Sequence, residues 1–290
     1  MVDATYSFRE KTLKLNPDKF RELRDIIYER SGIFFGEQKL YLLETRLSKR
    51  IAALGLNSFD DYIRLIRHQL SHSEEFKIMF NNITINETFF FRYHNQLEVF
   101  VQKLLPQIAA GNRQNGQRKV RIWSAGCSSG EEIYTIAMML KESLNGTINI
   151  WDMELLATDI SQKMLDKATL GEYTSNSFRQ SMVPAYKSKY FKDSGNVATI
   201  NTEIRRMVRF RYLNLNDINA IRANHSMDVI FCRNVLIYFD EAMKKRVIRA
   251  FYDVLNHGGY LFLGETESIH GVSSAFKVEH YPGVFIYKKE

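Results

Sequence analysis

The chain has 290 residues, 45% of them hydrophobic and 25% charged, which is enough for one large or two modest cores. It contains no run of roughly 18 or more apolar residues, so no segment is expected to enter a membrane. A net charge of +7 admits acidic partners, nucleic acid included, yet the basic residues are dispersed and form neither a long block nor an aromatic-basic repeat. A solvated basic surface is therefore the simpler reading. Two cysteines, Cys127 and Cys232, and seven histidines form neither a disulfide framework nor a metal-ligand spacing. No metal is expected, and the setting reads as reduced and cytoplasmic. The opening MVDATYSFREK has no apolar core of a secretory signal.

The first third reads as a helical bundle, assigned to residues 1–84. Asn16-Pro17-Asp18 starts a helix and Gly32 stops it. Residues 37–54 form the clearest helix, with an apolar stripe at Leu40, Leu43, Leu47, Ile51 and Leu54 closed by Gly55. Lys39, Arg46, Lys49 and Arg50 fall on another face. Helices over 58–70 and 74–82 follow. The polar and aromatic run Asn86-Glu-Thr88-Phe-Phe-Phe-Arg92 then precedes a helix over about 95–110 and a glycine-bearing loop at 111–117.

Residues 85–290 alternate strands and helices. Val120, Ile122 and Trp123 suit a buried strand. Ser124-Ala-Gly126-Cys-Ser-Ser-Gly130 is a turn of small residues, and Glu131–Leu140 continues at helical spacing. Gly126 and Gly130 let backbone approach a ligand. Neither nucleotide-phosphate glycine motif is present, and Glu131 and Glu132 would repel phosphate at that helix start. They suit an ammonium or sulfonium group, and S-adenosylmethionine carries both. The strand ending in Asp159 places an acid where ribose hydroxyls can be accepted in an open α/β sheet, and Ser161 caps the helix over 162–168. Residues 171–193 read as irregular or as short helices. Short strands are expected over 190–200 and 204–212, with 208–213 leading into Asn214-Leu215. A strand over 228–232 leads into Arg233-Asn234-Val-Leu-Ile-Tyr238. A helix over 242–256 ending at His257-Gly258-Gly259, a strand over 260–264, a loop and helix over 268–276, and a last strand over 281–288 complete an alternating α/β pattern with a final hairpin-like pair.

Four stretches together resemble one family. They are Asn86 to Arg92, Trp123-Ser-Ala-Gly-Cys-Ser-Ser-Gly-Glu-Glu132, Ala157-Thr-Asp159-Ile, and Ile230-Phe-Cys-Arg233-Asn234-Val-Leu-Ile-Tyr238-Phe. In this order they are similar to the CheR-type methyltransferases that modify glutamates of chemotaxis receptors, over nearly the whole chain. The resemblance implies a Rossmann-like seven-stranded sheet, an N-terminal helical domain and a small inserted antiparallel β-subdomain, here roughly 186–212. It implies S-adenosylmethionine as cofactor, contacted by Asn86, Thr88, Arg92, Gly126, Glu132, Asp159, Asn214, Leu215, Arg233 and Asn234, with Asn214 and Leu215 framing the adenine. It also implies docking of Lys39, Arg46, Lys49 and Arg50 on the helical cytoplasmic domain of a methyl-accepting receptor, and action as a monomer. The turn at Ser194-Gly195-Asn196 is short beside members whose β-subdomain grips a receptor tether, which argues against tether recognition.

The implied reaction forms a glutamate methyl ester. A carboxylate with a pKa of about 4.3 is already ionised at neutral pH, so no general base is required. No Ser/His/Asp or Cys/His constellation is present. Arg92 is expected to position a carboxylate through its guanidinium, and Tyr238 to meet the acceptor. Two alternatives stand beside this reading. One is a nucleic-acid methyltransferase, weakened by the absence of Asn-Pro-Pro-Tyr after the fourth stretch. The other is a non-catalytic S-adenosylmethionine sensor.

Overall fold

A computed structural model describes residues 13–143, 151–179 and 182–290. The sequence opening, read above for the absence of a signal core, lies outside them. Two compact units divide the chain, Met1–Thr84 and Ile85–Glu290.

The first unit contains α1 (Pro17–Ser31), α2 (Leu40–Ala53), α3 (Phe59–Arg67) and α4 (Glu74–Ile83). Asn16, Ser58 and Ser73 cap three of these helices by accepting from Lys19, Asp61 and Phe76 N–H groups. Gly32, at φ 74°, ends α1. The expected helix over 37–54 is a 3₁₀ turn, Glu37–Lys39, followed by α2. Leu43, Leu47 and Ile51 of its stripe pack with Phe20, Leu23, Ile27, Phe76, Met79 and Phe80 as the core. Among the described residues of this unit one charged side chain is buried. Glu75, 8% exposed, accepts from Arg50 Nε at 3.1 and 3.2 Å and Nη2 at 2.5 Å, and from the Tyr62 hydroxyl at 2.6 Å.

In the second unit a helical run, α5 (His94–Val99), a π-turn (Phe100–Leu104) and α6 (Leu105–Gln114), leads into the sheet. The π-turn abuts Pro106, whose missing N–H removes a rung of the helical ladder. The helix continues through Gly111, where a loop was expected, because Asn112 Nδ2 ties its end to Lys119 O at 2.8 Å. Next come β1 (Lys119–Ala125), α7 (Glu131–Ser143), β2 (Asp152–Asp159), α8 (Gln162–Leu170), β3 (Glu172–Tyr173), α9 (Pro184–Tyr190), β4 (Phe191–Ser194), β5 (Val197–Ile200), α10 (Thr202–Met207) and β6 (Val208–Tyr212). The chain ends with α11 (Ile218–Arg222), β7 (Met227–Cys232), α12 (Glu241–Val254), β8 (Leu255–Leu263), β9 (Phe276–Tyr281) and β10 (Val284–Lys289).

Seven strands form one sheet in the order β6-β2-β1-β7-β8-β10-β9. The pairs from β6 to β8 are parallel and the β10 pairs are antiparallel. Every residue of β7 is buried, as expected of a parallel strand covered on both faces.

Four expectations are corrected. The inserted sheet is β3-β5-β4, at 172–173, 191–194 and 197–200, whereas 208–212 belongs to the main sheet beside β2. Alternation alone could not tell which sheet that strand joins. The last long helix ends at Val254, and Gly258-Gly259 lie within β8. A Cβ at Gly259 would stand 2.8 Å from Asn256 O and 3.0 Å from Asp228 O, at the register shift between β7 and β8, so the glycine serves a close backbone approach. No helix forms over 268–276, and the final hairpin, β9 with β10, turns at Pro282-Gly283, so the last strand is Val284–Lys289 where 281–288 was expected.

Replacing Glu75 by Ala leaves Arg50 and Tyr62 without their shared acceptor. It should destabilise the first unit by about 3 kcal/mol, measured by urea unfolding. A loss under about 1 kcal/mol, the value of an exposed pair, would contradict this.

Candidate functional site

β1 lies between β2 and β7, so the connections leave in opposite directions at its carboxyl end, the place where open α/β sheets open a crevice. The turn after β1 is fastened to the end of β2. Gly126 N and Cys127 N both donate to Thr158 O, at 2.8 and 2.9 Å. Asp159 Oδ2 accepts from Ser128 N and Oδ1 from Ser161 N, each at 2.8 Å. This carboxylate is buried, and burial raises its pKa against the lowering effect of the surrounding backbone N–H groups. Backbone N–H groups of Ser161, Ser128 and Ile160 surround the carboxylate, and its two oxygens still have acceptor capacity for a further donor.

Gly126 and Gly130 hold left-handed backbone, at φ 84° and 90°. A Cβ at Gly126 would meet Val235 Cγ2 at 2.4 Å, and one at Gly130 would meet Ala168 Cβ at 3.0 Å. Packing of the protein on itself therefore dictates these glycines, where the sequence suggested ligand approach. Tyr212, the register partner of Asp159 on β6, has a buried hydroxyl without a hydrogen-bond partner among the described residues. Burial, then the Asp159 charge, pushes its pKa up to about 12. A buried orphan hydroxyl beside a carboxylate with acceptor positions to fill suits a polyhydroxyl ligand such as a ribose. Asn214 and Leu215 follow directly. Leu213 N donates to Asp159 O at 3.0 Å, Asn214 Oδ1 accepts from Asn216 N at 2.9 Å, and Leu215 is buried.

The two glutamates of α7 were expected to face a cationic ligand, and both have partners within the protein. Glu131 is 1% exposed and accepts from the hydroxyls of Ser129 and Ser177, each at 2.8 Å. Glu132 accepts from Ser124 Oγ at 2.6 Å and from Arg233 Nε at 2.6 Å. Arg233 in turn donates to Gln96 Oε1 at 3.3 Å, and Gln96 Nε2 to Leu263 O at 3.0 Å. The carboxylate of Glu132 is thus neutralised by a cation expected beside it in the same site.

The stretch from Asn86 to Arg92 reaches both motifs. Ser128 Oγ donates to Asn86 O at 3.2 Å. Phe90 is buried among Tyr173, Phe178 and Phe191, at centroid separations of 4.8 to 5.2 Å, and Phe91 N donates to Thr135 Oγ1 at 3.2 Å. Phe90 and Phe91 are therefore core, while Phe89 and Thr88 stay half-buried. Arg92 donates to Glu87 O at 2.9 Å and lies 5.5 and 5.1 Å from the centroids of Phe89 and Tyr93. Among the described residues no carboxylate pairs with Arg92. Tyr93 joins the two motifs: its hydroxyl accepts from Asn234 Nδ2 at 3.0 Å, and its ring lies 5.3 Å from the Arg233 guanidinium. The Tyr238 hydroxyl donates to Ile85 O at 3.3 Å.

Sequence reasoning missed Tyr93, Gln96, Tyr212 and Glu267. Glu267 is the organiser of the Arg233–Tyr238 turn, accepting from Asn234 N at 2.6 Å, Gly264 N at 2.8 Å and Ile237 N at 3.2 Å. It stands in an ordinary-looking turn, Gly264-Glu-Thr-Glu267, and nothing local announces three backbone donors. Tyr93 lies one residue past the quoted aromatic run, where its position was the available signal.

The docking set belongs to the first unit and is divided. Arg46 Nη1 donates to Ile83 O at 2.8 Å, Thr84 O at 2.9 Å and Asn82 O at 3.4 Å, closing the end of α4. Arg50 holds Glu75. The single cationic face is thus corrected: two of its four residues serve the bundle. Lys39 is half-buried, and Lys49 is exposed on one helix face with Tyr41 and Thr45.

Among the described residues no cluster of His, Cys, Asp or Glu could hold a metal ion, and no helix is long and apolar enough to cross a membrane.

Comparison with known proteins gives these features a family. The CheR methyltransferase all-alpha domain matches residues 18–84, and the CheR methyltransferase SAM binding domain matches residues 86–284. The chain is 39% identical to chemotaxis protein methyltransferase 2 of Vibrio cholerae over 264 residues, 90% of this chain and 89% of that protein. It is 34% identical to the chemotaxis protein methyltransferase of Borreliella burgdorferi over 261 residues, 89% and 91% of the two chains. With both domains matched in order and such relatives aligned along most of its length, the chain belongs to the CheR methyltransferase family.

Proposed function

We propose that this enzyme methylates glutamate side chains in the helical cytoplasmic domain of chemotaxis receptors, using S-adenosylmethionine and acting as a monomer in the cytoplasm. The observation that carries the site assignment is the contrast between two arginines. Arg233 is neutralised by Glu132. Arg92 stands among aromatic rings with no carboxylate partner among the described residues, next to the residues that join the two motifs. A guanidinium in this state binds a carboxylate from outside the chain.

Bound S-adenosylmethionine supplies an electrophilic methyl group on a sulfonium. Asp159 accepts from its ribose hydroxyls, the role its remaining acceptor positions suit. Asn214 and Leu215 flank the adenine, and Gly126, Glu132 and Arg233 maintain the turn and the neutral floor beneath. Asn86, Thr88, Arg92 and Asn234 hold the amino-acid end, with Arg92 on its carboxylate. Tyr238 meets the acceptor. The acceptor glutamate is already ionised, so the residues orient and desolvate it and move no proton. The acceptor itself is better left without a tight cation, because neutralising its charge would stabilise the ground state.

A nucleic-acid acceptor is not favoured: the net charge is scattered, and the stretch after β7 lacks the prolines of amino-methylating enzymes. The direct test is transfer of labelled methyl to a receptor cytoplasmic fragment followed by alkali. Label released as volatile methanol is expected. Alkali-stable label would overturn the ester, and binding without turnover on receptors would favour a sensor.

Asp159→Ala should weaken cofactor binding by about 1 to 3 kcal/mol in calorimetry, and unchanged affinity would refute the ribose role. The same carboxylate sets a pH dependence. Its pKa is raised in the unliganded protein and falls when hydroxyls donate to it, so binding releases protons. Affinity should be level above the raised pKa and decline as pH drops through it, with a binding enthalpy that depends on the buffer. Arg92→Ala should raise the Michaelis constant for the cofactor and cut kcat on the order of a hundredfold, as misplaced reactants do. Wild-type kinetics would remove Arg92 from the site.

For docking, Lys39→Glu with Lys49→Glu should slow receptor methylation, most at low salt, and leave cofactor affinity unchanged. Equal rates at all salt concentrations would move the docking face elsewhere. Arg50 is unsuitable for this test, because its loss would expose the buried Glu75 charge.

A further inference from the structure

We infer that Tyr93 is a positioning residue of the methyl-transfer site, setting Arg92 and Asn234 for the cofactor's amino-acid end. This rests on the proposed placement of that end against Arg92.

Tyr93 follows the Asn86–Arg92 stretch and stands at φ 57°, a left-handed conformation that a bulky residue adopts only when its surroundings hold it there. Its neighbours show what does so. Two guanidiniums approach the ring, Arg92 at 5.1 Å and Arg233 at 5.3 Å from its centroid. Both distances are within the range of cation–π attraction. The hydroxyl accepts from Asn234 Nδ2 at 3.0 Å and has a longer contact, 3.5 Å, with Arg92 Nη2. One side chain therefore touches three residues of the proposed cofactor set, drawn from stretches about 140 positions apart in sequence.

Its chemistry suits the task better than that of a charged residue. An acid at this position would pair with Arg92 and cancel the charge meant for a ligand. A phenol orients the guanidinium through its ring and leaves the charge available. With two donors directed at its oxygen, its own proton remains to be donated, and a carboxylate arriving at Arg92 is a suitable acceptor. Asn234 is itself fixed, its N–H bound to Glu267 at 2.6 Å and its backbone at φ 61°. Tyr93 thus transmits the rigidity of the Glu267 turn to Arg92, which also donates to the Glu87 carbonyl at 2.9 Å.

The test is calorimetric binding of S-adenosylmethionine together with methyl transfer to a receptor fragment, for Tyr93→Phe, Tyr93→Leu, Arg92→Ala and the double variant Arg92→Ala/Tyr93→Phe. Tyr93→Phe keeps the ring beside both guanidiniums, so it should weaken binding roughly threefold to tenfold, the worth of one hydrogen bond. Tyr93→Leu should lose on the order of a hundredfold in kcat/KM, with partial recovery in the Phe variant. The decisive readout is coupling. In the Arg92→Ala background Tyr93→Phe should cost less than it does alone, because its effect passes largely through Arg92. Full additivity, or wild-type binding by both single Tyr93 variants, would overturn the inference. If Arg92→Ala binds and turns over normally, the placement of the amino-acid end fails, and this inference fails with it. A defective Arg92→Ala beside unaffected Tyr93 variants removes Tyr93 alone.

Discussion

The pairing of Glu132 with Arg233 is the contact on which the rest of the site depends. Arg233's side chain is 2% exposed and that of Glu132 12%. Either charge alone in that position would carry a desolvation cost of several kcal/mol. Together they are tolerable because each finds a second partner, Ser124 for the carboxylate and Gln96 for the guanidinium. Gln96 continues to the Leu263 carbonyl. The line Ser124, Glu132, Arg233, Gln96, Leu263 therefore crosses the carboxyl ends of β1, β7 and β8 and also holds the first turns of α7 and α5. Three parallel strands end at one polar ladder, and the turns that build the site hang from it.

A second network runs beside the first and gives the site its shape. Glu267 gathers the N–H groups of Asn234, Ile237 and Gly264, so the turns after β7 and β8 are tied through one carboxylate. Asp159 does the same for the turns after β1 and β2, through Ser128 and Ser161. Each acid collects backbone donors from two loops that have no sequence proximity. This is an economical way to fix irregular backbone, since charged acceptors form the stronger hydrogen bonds. The two acids differ in what is left over. Asp159 has as a register neighbour Tyr212, whose buried hydroxyl has no partner among the described residues, a pairing that suits the proposed ribose role. Glu267 is committed to three N–H groups and acts as scaffold.

These networks explain what the sequence made legible. The strand-turn-helix at 120–140 and the apolar strand at 228–232 follow from hydrophobic pattern, because a parallel strand buried on both faces has no other composition open to it. The bundle was readable from the helix start at Asn16-Pro17-Asp18, the stops at Gly32 and Gly55 and the apolar stripe between them, signals that act on adjacent residues. What stayed hidden is non-local. The stretch at 208–212 alternates in the same way whether it pairs with the inserted sheet or with β2. Gly259 looks like a helix terminator until Asp228 O is found 3.0 Å from where its Cβ would stand. Glu132 was read as facing a cationic ligand, and what the fold sets against it is Arg233, about a hundred residues downstream. Arg46 and Arg50 share a helix face with Lys49 in projection, and only the folded bundle sets Ile83 and Glu75 against them.

The charge arithmetic of the site bears on how little acid–base machinery it contains. In the proposed transfer one positive and one negative reactant charge disappear together, so the transition state is less polar than the reactants. A strongly hydrated or strongly ionic site would favour the reactants and slow the step. Glu131 is enclosed by hydroxyls, Glu132 and Arg233 cancel, and Asp159 is met by the N–H groups of Ser128 and Ser161, so each fixed charge around the turn has its partners within the protein. Arg92 is the exception, and its aromatic surroundings fix its direction. It can bind a carboxylate that does not react, contributing orientation without neutralising the nucleophile. A guanidinium among rings, beside a cancelled ion pair, is thus an arrangement that suits the proposed charge-consuming methyl transfer, a step that itself moves no proton.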